Sequence, residues 1–210
     1  MTNALKMLME PSGIVVIPLI LCSVIAVALI ADRAIALVTL RGLDRRTEAA
    51  VKRQTLQASV IDLLATVIEA RPFYADAARV LRDNVTLEKS LREEAVSLEL
   101  QAAGRTLSRR LTGLTTIAGL APLLGLLGTV IGLMVAFRSL EGTTGPVEPG
   151  IVAGGLWQAM VTTVIGLAIA VPCLVMHAWF RSQIRYRMAD AAALLSSLSL
   201  AADIKAARDD

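Results

Sequence analysis

Ala121-Pro-Leu-Leu-Gly-Leu-Leu-Gly-Thr-Val-Ile-Gly132 lies inside a run, Leu111 to Phe137, that holds no Asp, Glu, Lys or Arg. A second charge-free run, Pro149 to Phe180, contains Gln158-Ala-Met-Val-Thr-Thr-Val-Ile-Gly166. A helix needs about 20 mostly apolar residues to cross about 30 Å of hydrocarbon, and both runs exceed that. Lipid alone asks only for Leu, Ile and Val. Glycine, proline and paired threonines inside such runs point instead to helices packed closely on one another around something polar.

The rest of the chain fits a membrane setting. It has 210 residues, 55% of them hydrophobic, which is too apolar for an ordinary soluble domain. Gly13 to Ala31 forms a third apolar segment of spanning length. The predicted fold is an all-α integral membrane protein with three transmembrane helices, the second and third extended into the cytoplasm as long helices, plus helices in a cytoplasmic loop. The predicted segments are an external N-terminus (1–12), transmembrane helix 1 (13–31), a cytoplasmic helical loop (32–110), transmembrane helix 2 (111–137), an external loop (138–150), transmembrane helix 3 (151–180) and a cytoplasmic helical tail (181–210). A secretory signal peptide is the alternative for the first segment. Against it, Glu10 abuts the apolar run, Lys6 is its lone basic neighbour on that side, and Asp32-Arg33 follows with no small-residue cleavage pattern.

Lys and Arg set the orientation, because segments that stay in the cytoplasm carry the excess. There are 14 from Asp32 to Arg110 and 5 from Arg181 onward, against Lys6 before the first span and Arg138 between the second and third. The N-terminus is therefore expected outside and the C-terminus in the cytoplasm. The loop's 14 basic groups face 11 acidic ones, which argues against nucleic acid as a partner. The juxtamembrane arginines Arg33, Arg41, Arg45, Arg46, Arg105, Arg109 and Arg110 suit anionic lipid head groups. Cys22 and Cys173 fall within spans and read as small packing residues.

Between the first two spans, apolar residues recur at helical spacing. Val51, Leu56, Val60, Leu63, Leu64, Val67 and Ile68 predict one amphipathic helix, ending before Pro72. A second is predicted from about Ala75, with Leu87, Leu91, Ala95, Leu98 and Ala102 on one stripe and a Glu88–Arg92 pair on its surface. Gly104 is the one weak point between Asp76 and Arg110, so this helix is expected to run unbroken into the second span. Ile184, Met188, Ala191, Leu195, Leu198 and Ala202 carry a stripe past the third span. Both stripes need cover, from each other or, in coiled-coil fashion, from another subunit.

Within the spans, Pro122, Gly125, Thr129, Gly132 and Ala136 recur on one face, as do Ala159, Thr163, Gly166, Ala170 and Cys173; Gly128 with Gly132 gives the GxxxG spacing of close helix pairs. Threonine hydroxyls on such faces bond back to their own helix or serve an ion. Gln158 lies near one end of the third span and His177 near the other, flanked by Trp157 and Trp179 in the positions of interfacial aromatics. His177 suits an interfacial role better than a proton relay. A path for protons needs a titratable group near mid-membrane, and no span holds an Asp, Glu, Lys or Arg. If the chain handles ions, the carboxylate comes from another polypeptide. Enzyme chemistry is not expected: the sequence has one His and no Gly-x-Ser-x-Gly, P-loop or zinc spacing, and no cofactor is called for.

These two motifs, with Gly154-Gly-Leu-Trp before Gln158 and Leu-Ala-Ile-Ala-Val-Pro172 after Gly166, resemble the MotA/TolQ/ExbB proton-channel family. The similarity is dense from about Leu114 to Arg181 and present again at Asp32-Arg33-Ala-Ile-Ala-Leu37. Three spans with an external N-terminus resemble the ExbB/TolQ branch; the MotA branch has four. The resemblance implies a pentameric homo-oligomer enclosing the single membrane helices of an ExbD- or TolR-like dimer, whose aspartate takes the proton and whose work reaches a TonB- or TolA-like transducer. It implies that Thr129 and Thr163 line the ion pathway with Gln158 at its entrance, and that Pro122, Gly125, Gly128, Gly132, Gly166 and Pro172 serve helix packing. Where many ExbB and TolQ sequences have glutamate, this chain has Gln158, which cannot titrate; that leaves sodium, or proton entry through the partner, as alternatives. A non-conducting membrane scaffold is the competing reading from another class.

Overall fold

A computed structural model describes residues 13–39, 60–70, 72–109, 111–140 and 149–209. Six α-helices run α1 (Gly13–Thr39), α2 (Val60–Ala70), α3 (Pro72–Asp83), α4 (Lys89–Arg109), α5 (Thr112–Arg138) and α6 (Pro149–Asp209), with no strand among the described residues. Three of them, α1, α5 and α6, carry stretches long and apolar enough to cross a membrane. The helix expected around Val51 and Leu56, the arginines at 41, 45, 46 and 110, and most of the 138–150 loop lie outside the described residues. Contacts divide the chain into two units: residues up to Arg33 with Leu111–Trp179, and Ala34–Arg110 with Phe180–Asp210. The 61-residue α6 contributes to both.

In the first unit, Val15 and Leu19 of α1 are buried with Ala121 of α5 and Ala170 of α6. Leu124 and Ile131 of α5 and Ile165 and Ile169 of α6 pack around that cluster. Gly113 admits the Leu29 side chain: a β-carbon there would stand 2.9 Å from Leu29 Cδ1. Near the end of the apolar part of α1, the buried Arg33 guanidinium donates to the exposed Asp32 carboxylate, so that charge lies outside the charge-free stretch.

The second unit is a small helical core. Leu64 and Val67 from α2, Ala77, Ala78 and Leu81 from α3, Val96 and Leu100 from α4, and Ala191, Leu194, Leu195, Leu198 and Ala201 from α6 are buried together. The stripe anticipated on the C-terminal part of α6 is thus covered by the chain's own helices. Helix α2 stops at Ala70 and α3 begins on Pro72, where proline's missing N–H costs nothing because the first amides of a helix have no partner in any case.

The unbroken helix expected from Ala75 to Arg110 is not observed. It is interrupted after Asp83: the Asn84 backbone amide still makes the helical bond to the Val80 carbonyl (3.2 Å), but its side-chain amide donates to that same carbonyl (2.8 Å) and the Val85 amide turns to the Arg82 carbonyl (3.4 Å). Asparagine offers the backbone this alternative to continued helix. The inward face of α4 is also shifted by one residue from the expected stripe, to Arg92, Val96 and Leu100. Arg92 does not sit on the surface with Glu88. Its guanidinium is buried and donates to Ser199 Oγ (2.9 Å), the Val85 carbonyl (3.0 Å), the Ser199 carbonyl (3.2 Å) and Asp203 Oδ1 (2.5 Å). A guanidinium has five donors in a rigid fork, so it can tie the α3–α4 turn, α4 and α6 together at one point.

That geometry predicts that Arg92→Met, similar in length but without donors, destabilises this unit by about 1–3 kcal/mol. The expected signs are a lower midpoint of thermal unfolding in detergent and faster protease cleavage after Phe180. Removal of one charge at the exposed Glu94, as Glu94→Gln, should alter neither.

Candidate functional site

The site is built where α5 and the first part of α6 run antiparallel in close contact. Buried positions on α5 are Ala121, Gly125, Gly128, Gly132 and Ala136; opposite them on α6 stand Gly155, Ala159, Thr162, Gly166 and Ala170. There is no room for larger groups. A β-carbon on Gly166 would lie 2.5 Å from the Ala121 carbonyl oxygen, and one on Gly125 2.9 Å from the Thr162 carbonyl oxygen. On Gly155 it would meet Ala136 Cβ at 2.5 Å, and on Gly132 it would meet Ala159 Cβ at 3.0 Å. Such approach is what small residues allow in lipid, where association rests on van der Waals contact and hydrogen bonds.

Three hydroxyls stand at this seam. Thr162 is 2% exposed; its side chain fills the space over Gly128, and its Oγ1 lies 2.7 Å from the Ala159 carbonyl and 3.2 Å from the Gly125 carbonyl. Thr163 Oγ1 donates to the same Gly125 carbonyl at 3.2 Å. Thr129, one turn along α5 from Gly125, donates to the Leu126 carbonyl at 2.7 Å and is half-buried.

Helical geometry of about 100° per residue sorts these positions. Thr129 is five residues from Leu124 and two from Ile131, and Thr163 two from Ile165 and six from Ile169, so each is turned about 120–160° from the residues that pack around the α1 cluster. Thr129 and Thr163 therefore share the flank of the pair that faces away from α1. Gln158 is seven residues from Ile165, within about 20° of it, and about 140° from Thr163. Helical geometry thus puts Thr129 and Thr163 on one flank and Gln158 on the opposite flank of α6. Pro122 is half-buried on the Thr129 flank and Pro172 is exposed; each removes a helix N–H and so frees the carbonyl four residues earlier from its usual donor.

Adjacent residues are only about 100° apart, which is why spacing alone selected Thr129 and Thr163 for the packing faces when Gly128 and Thr162 occupy their centres. Thr162 was missed for that reason. Its signal was the facing glycine, since a threonine between two helices needs a residue without a side chain opposite it.

At the far end, half-buried His177 places Nδ1 3.3 Å from the Leu111 carbonyl and 3.4 Å from Thr115 Oγ1, at the start of α5. Trp157 and Trp179 are exposed and stand 22 positions apart, about 33 Å along α6. Cys173 is buried, Cys22 half-buried, and both are free thiols. Chemically, the seam offers hydroxyls and carbonyls, which can hold and orient a proton carrier but do not titrate near neutral pH.

Fold and site together define a multi-pass helical membrane protein in which the charge-free stretches of two packed helices present hydroxyls on one flank. The chain belongs to the MotA/TolQ/ExbB proton channel family, whose profile matches residues 40–192. It is 34% identical over 179 residues to biopolymer transport protein exbB1 of Vibrio cholerae, covering 82% of this chain and 77% of that protein. It is likewise 34% identical over 180 residues to an ExbB-like biopolymer transport protein of Synechocystis, 81% of each. Over a shorter stretch of 83 residues it is 35% identical to the Tol-Pal system protein TolQ of Haemophilus influenzae, covering 40% of this chain and 36% of that protein.

The seam makes its own prediction. Gly166→Val drives a side chain into the Ala121 carbonyl and should cost about 1–3 kcal/mol or more, lowering the thermal midpoint in detergent. Gly154→Ala, where a β-carbon meets nothing within 4 Å, should leave the midpoint unchanged or raise it slightly.

Proposed function

We propose that this chain is the ion-channel subunit of an inner-membrane motor that uses the proton motive force to energise a TonB- or Tol-type system, with a partner's membrane aspartate carrying the proton. The observation that carries this reading is the placement of Thr129 and Thr163 on one flank of two charge-free helical stretches, Leu111 to Phe137 and Pro149 to Phe180. Hydroxyls there can serve a carboxylate from outside the chain, and no Asp or Glu lies in Leu111 to Phe137 or Pro149 to Phe180 to take its place. The printed roles of the relatives, biopolymer transport and the Tol-Pal system, support the same system class.

In this reading the N-terminus is periplasmic and residues 32–110 and 181–210 are cytoplasmic, as the distribution of Lys and Arg favours. The 13–31, 111–137 and 151–180 segments cross the membrane. The partner is an ExbD- or TolR-like single-span dimer held inside a homo-oligomeric ring, a pentamer, that acts on a TonB- or TolA-like transducer. Moving one charge through 100 mV releases about 2.3 kcal/mol, enough to bias a two-state rearrangement about fifty-fold. Protonation of the partner's aspartate shifts its preferred position within the ring, and repeated cycles turn ring against shaft. Gln158 accepts and donates hydrogen bonds without titrating, so proton entry runs through the partner. A sodium-driven motor of the same kind is the variant that this glutamine favours.

Self-association has support of its own in α4 and the turn before it. Leu87, Leu91 and Leu98 are 44%, 54% and 57% exposed, an apolar stripe left over once Arg92, Val96 and Leu100 have turned inward. Such a stripe is a surface that a neighbouring copy of the chain can cover, as in a coiled coil.

Two outcomes follow. Thr129→Val with Thr163→Val, in a host lacking its own ExbB- and TolQ-type subunits, should abolish gradient-driven output scored as outer-membrane uptake and detergent resistance, while ring assembly by native mass spectrometry is unchanged; unaltered output in an assembled ring contradicts the pathway, and output independent of the gradient supports the scaffold. Leu91→Glu with Leu98→Glu should reduce the ring to smaller species in the same mass spectra, whereas an intact ring would remove the stripe from the interface.

A further inference from the structure

Two hydroxyls compete for one acceptor at the centre of the seam. The Gly125 carbonyl has two lone pairs, and helix geometry commits one of them to the Thr129 amide four residues on. The other lone pair has Thr162 Oγ1 and Thr163 Oγ1 both at 3.2 Å. Only Thr162 has a second acceptor shown, the Ala159 carbonyl at 2.7 Å. Because both acceptors are in reach from the same Oγ1 position, Thr162 changes partner by turning its hydrogen alone, with no movement of heavy atoms.

We propose that Thr162 is a positioning residue: its hydroxyl, shared between the Ala159 and Gly125 carbonyls, decides whether Thr163 donates to or accepts from the ion-carrying group. When Thr162 bonds Ala159, Thr163 gives its hydrogen to Gly125 and presents only lone pairs to the flank. A protonated carboxylic acid, which has an O–H to donate, is the form those lone pairs fit. When Thr162 takes Gly125, the Thr163 hydrogen is released toward the flank, and an ionised carboxylate, which only accepts, is the form it fits. Thr163 thus serves both protonation states of one carrier, and Thr162 sets which. This rests on the proposed role of Thr163 in the ion pathway.

The chain's own charges do not confuse the effect. No Asp, Glu, Lys, Arg or His lies on α5 from Thr112 to Phe137, on α6 from Pro149 to Met176 or on α1 from Gly13 to Ala31. The titratable side chains within these stretches are the Cys22 and Cys173 thiols. His177 is 14 positions from Thr163, about 21 Å along the helix.

The test is proton flux driven by a potassium-diffusion potential into liposomes holding the full chain with its single-span partner, read by an internal pH-sensitive dye across external pH. Thr162→Val keeps the shape and removes the hydroxyl, so Thr163 stays on Gly125 and the carboxylate loses a donor. Its ionised form is then less favoured, and the pH midpoint of flux should move upward by about half a unit to one unit. Thr162→Ser should restore the original midpoint. If Thr162→Val does not assemble, Thr162→Ala, which is smaller than the native side chain, takes its place with the same expected shift. An unshifted midpoint in the assembled hydroxyl-free variant, or a Ser variant that behaves like Val, overturns the proposal. The underlying reading stands apart from it: if Thr163→Val abolishes flux while the Thr162 variants leave the midpoint alone, only the role of Thr162 falls, and if Thr163→Val also leaves flux unchanged, the pathway itself falls.

Discussion

The first unit depends on backbone meeting backbone between α5 and α6. With the Ala121 carbonyl 2.5 Å from where a β-carbon of Gly166 would stand, the two helices are as close as polypeptides pack, and that proximity fixes the rest of the site. It brings the Gly125 carbonyl within hydrogen-bond reach of hydroxyls on the neighbouring helix. It also sets the flank on which Thr129 and Thr163 meet, and it leaves the opposite flank for α1. In lipid, apolar side chains gain little by finding one another. Close contact and interhelical hydrogen bonds are therefore the interactions that can specify the pairing.

The same seam limits what the chain can do. Hydroxyls and carbonyls orient a proton but do not store one near neutral pH, and no carboxylate is available in the runs that form the seam. The proposed function accordingly assigns the proton carrier to a second polypeptide.

Much of this was legible in the sequence. Three apolar segments, the glycine spacing on α5 and the stripe from Ile184 to Ala202 all follow from length and helical period, and the structure has them. Local competition is where the pattern misled. Asn84 capping Val80 breaks a helix that apolar spacing ran straight through, and Arg92, with Ser199 and Asp203 as partners more than a hundred residues away, rotates the buried face of α4 by one residue. Periodicity sees neither, because both depend on a side chain's particular partners. Thr162 and Thr163 are the sharpest case: neighbours in sequence, with the same side chain, they differ in burial and acceptors because of the glycine on the facing helix.

The central claim is that this chain shapes a proton path and does not itself carry the proton. The most direct measurement is proton flux into liposomes containing the chain alone, compared with liposomes containing the chain and its single-span partner. The account predicts flux with the partner present, none above the empty-liposome leak without it, and none when the partner's membrane aspartate is replaced by asparagine. Proton flux through the chain alone at a rate comparable to the complex would contradict it.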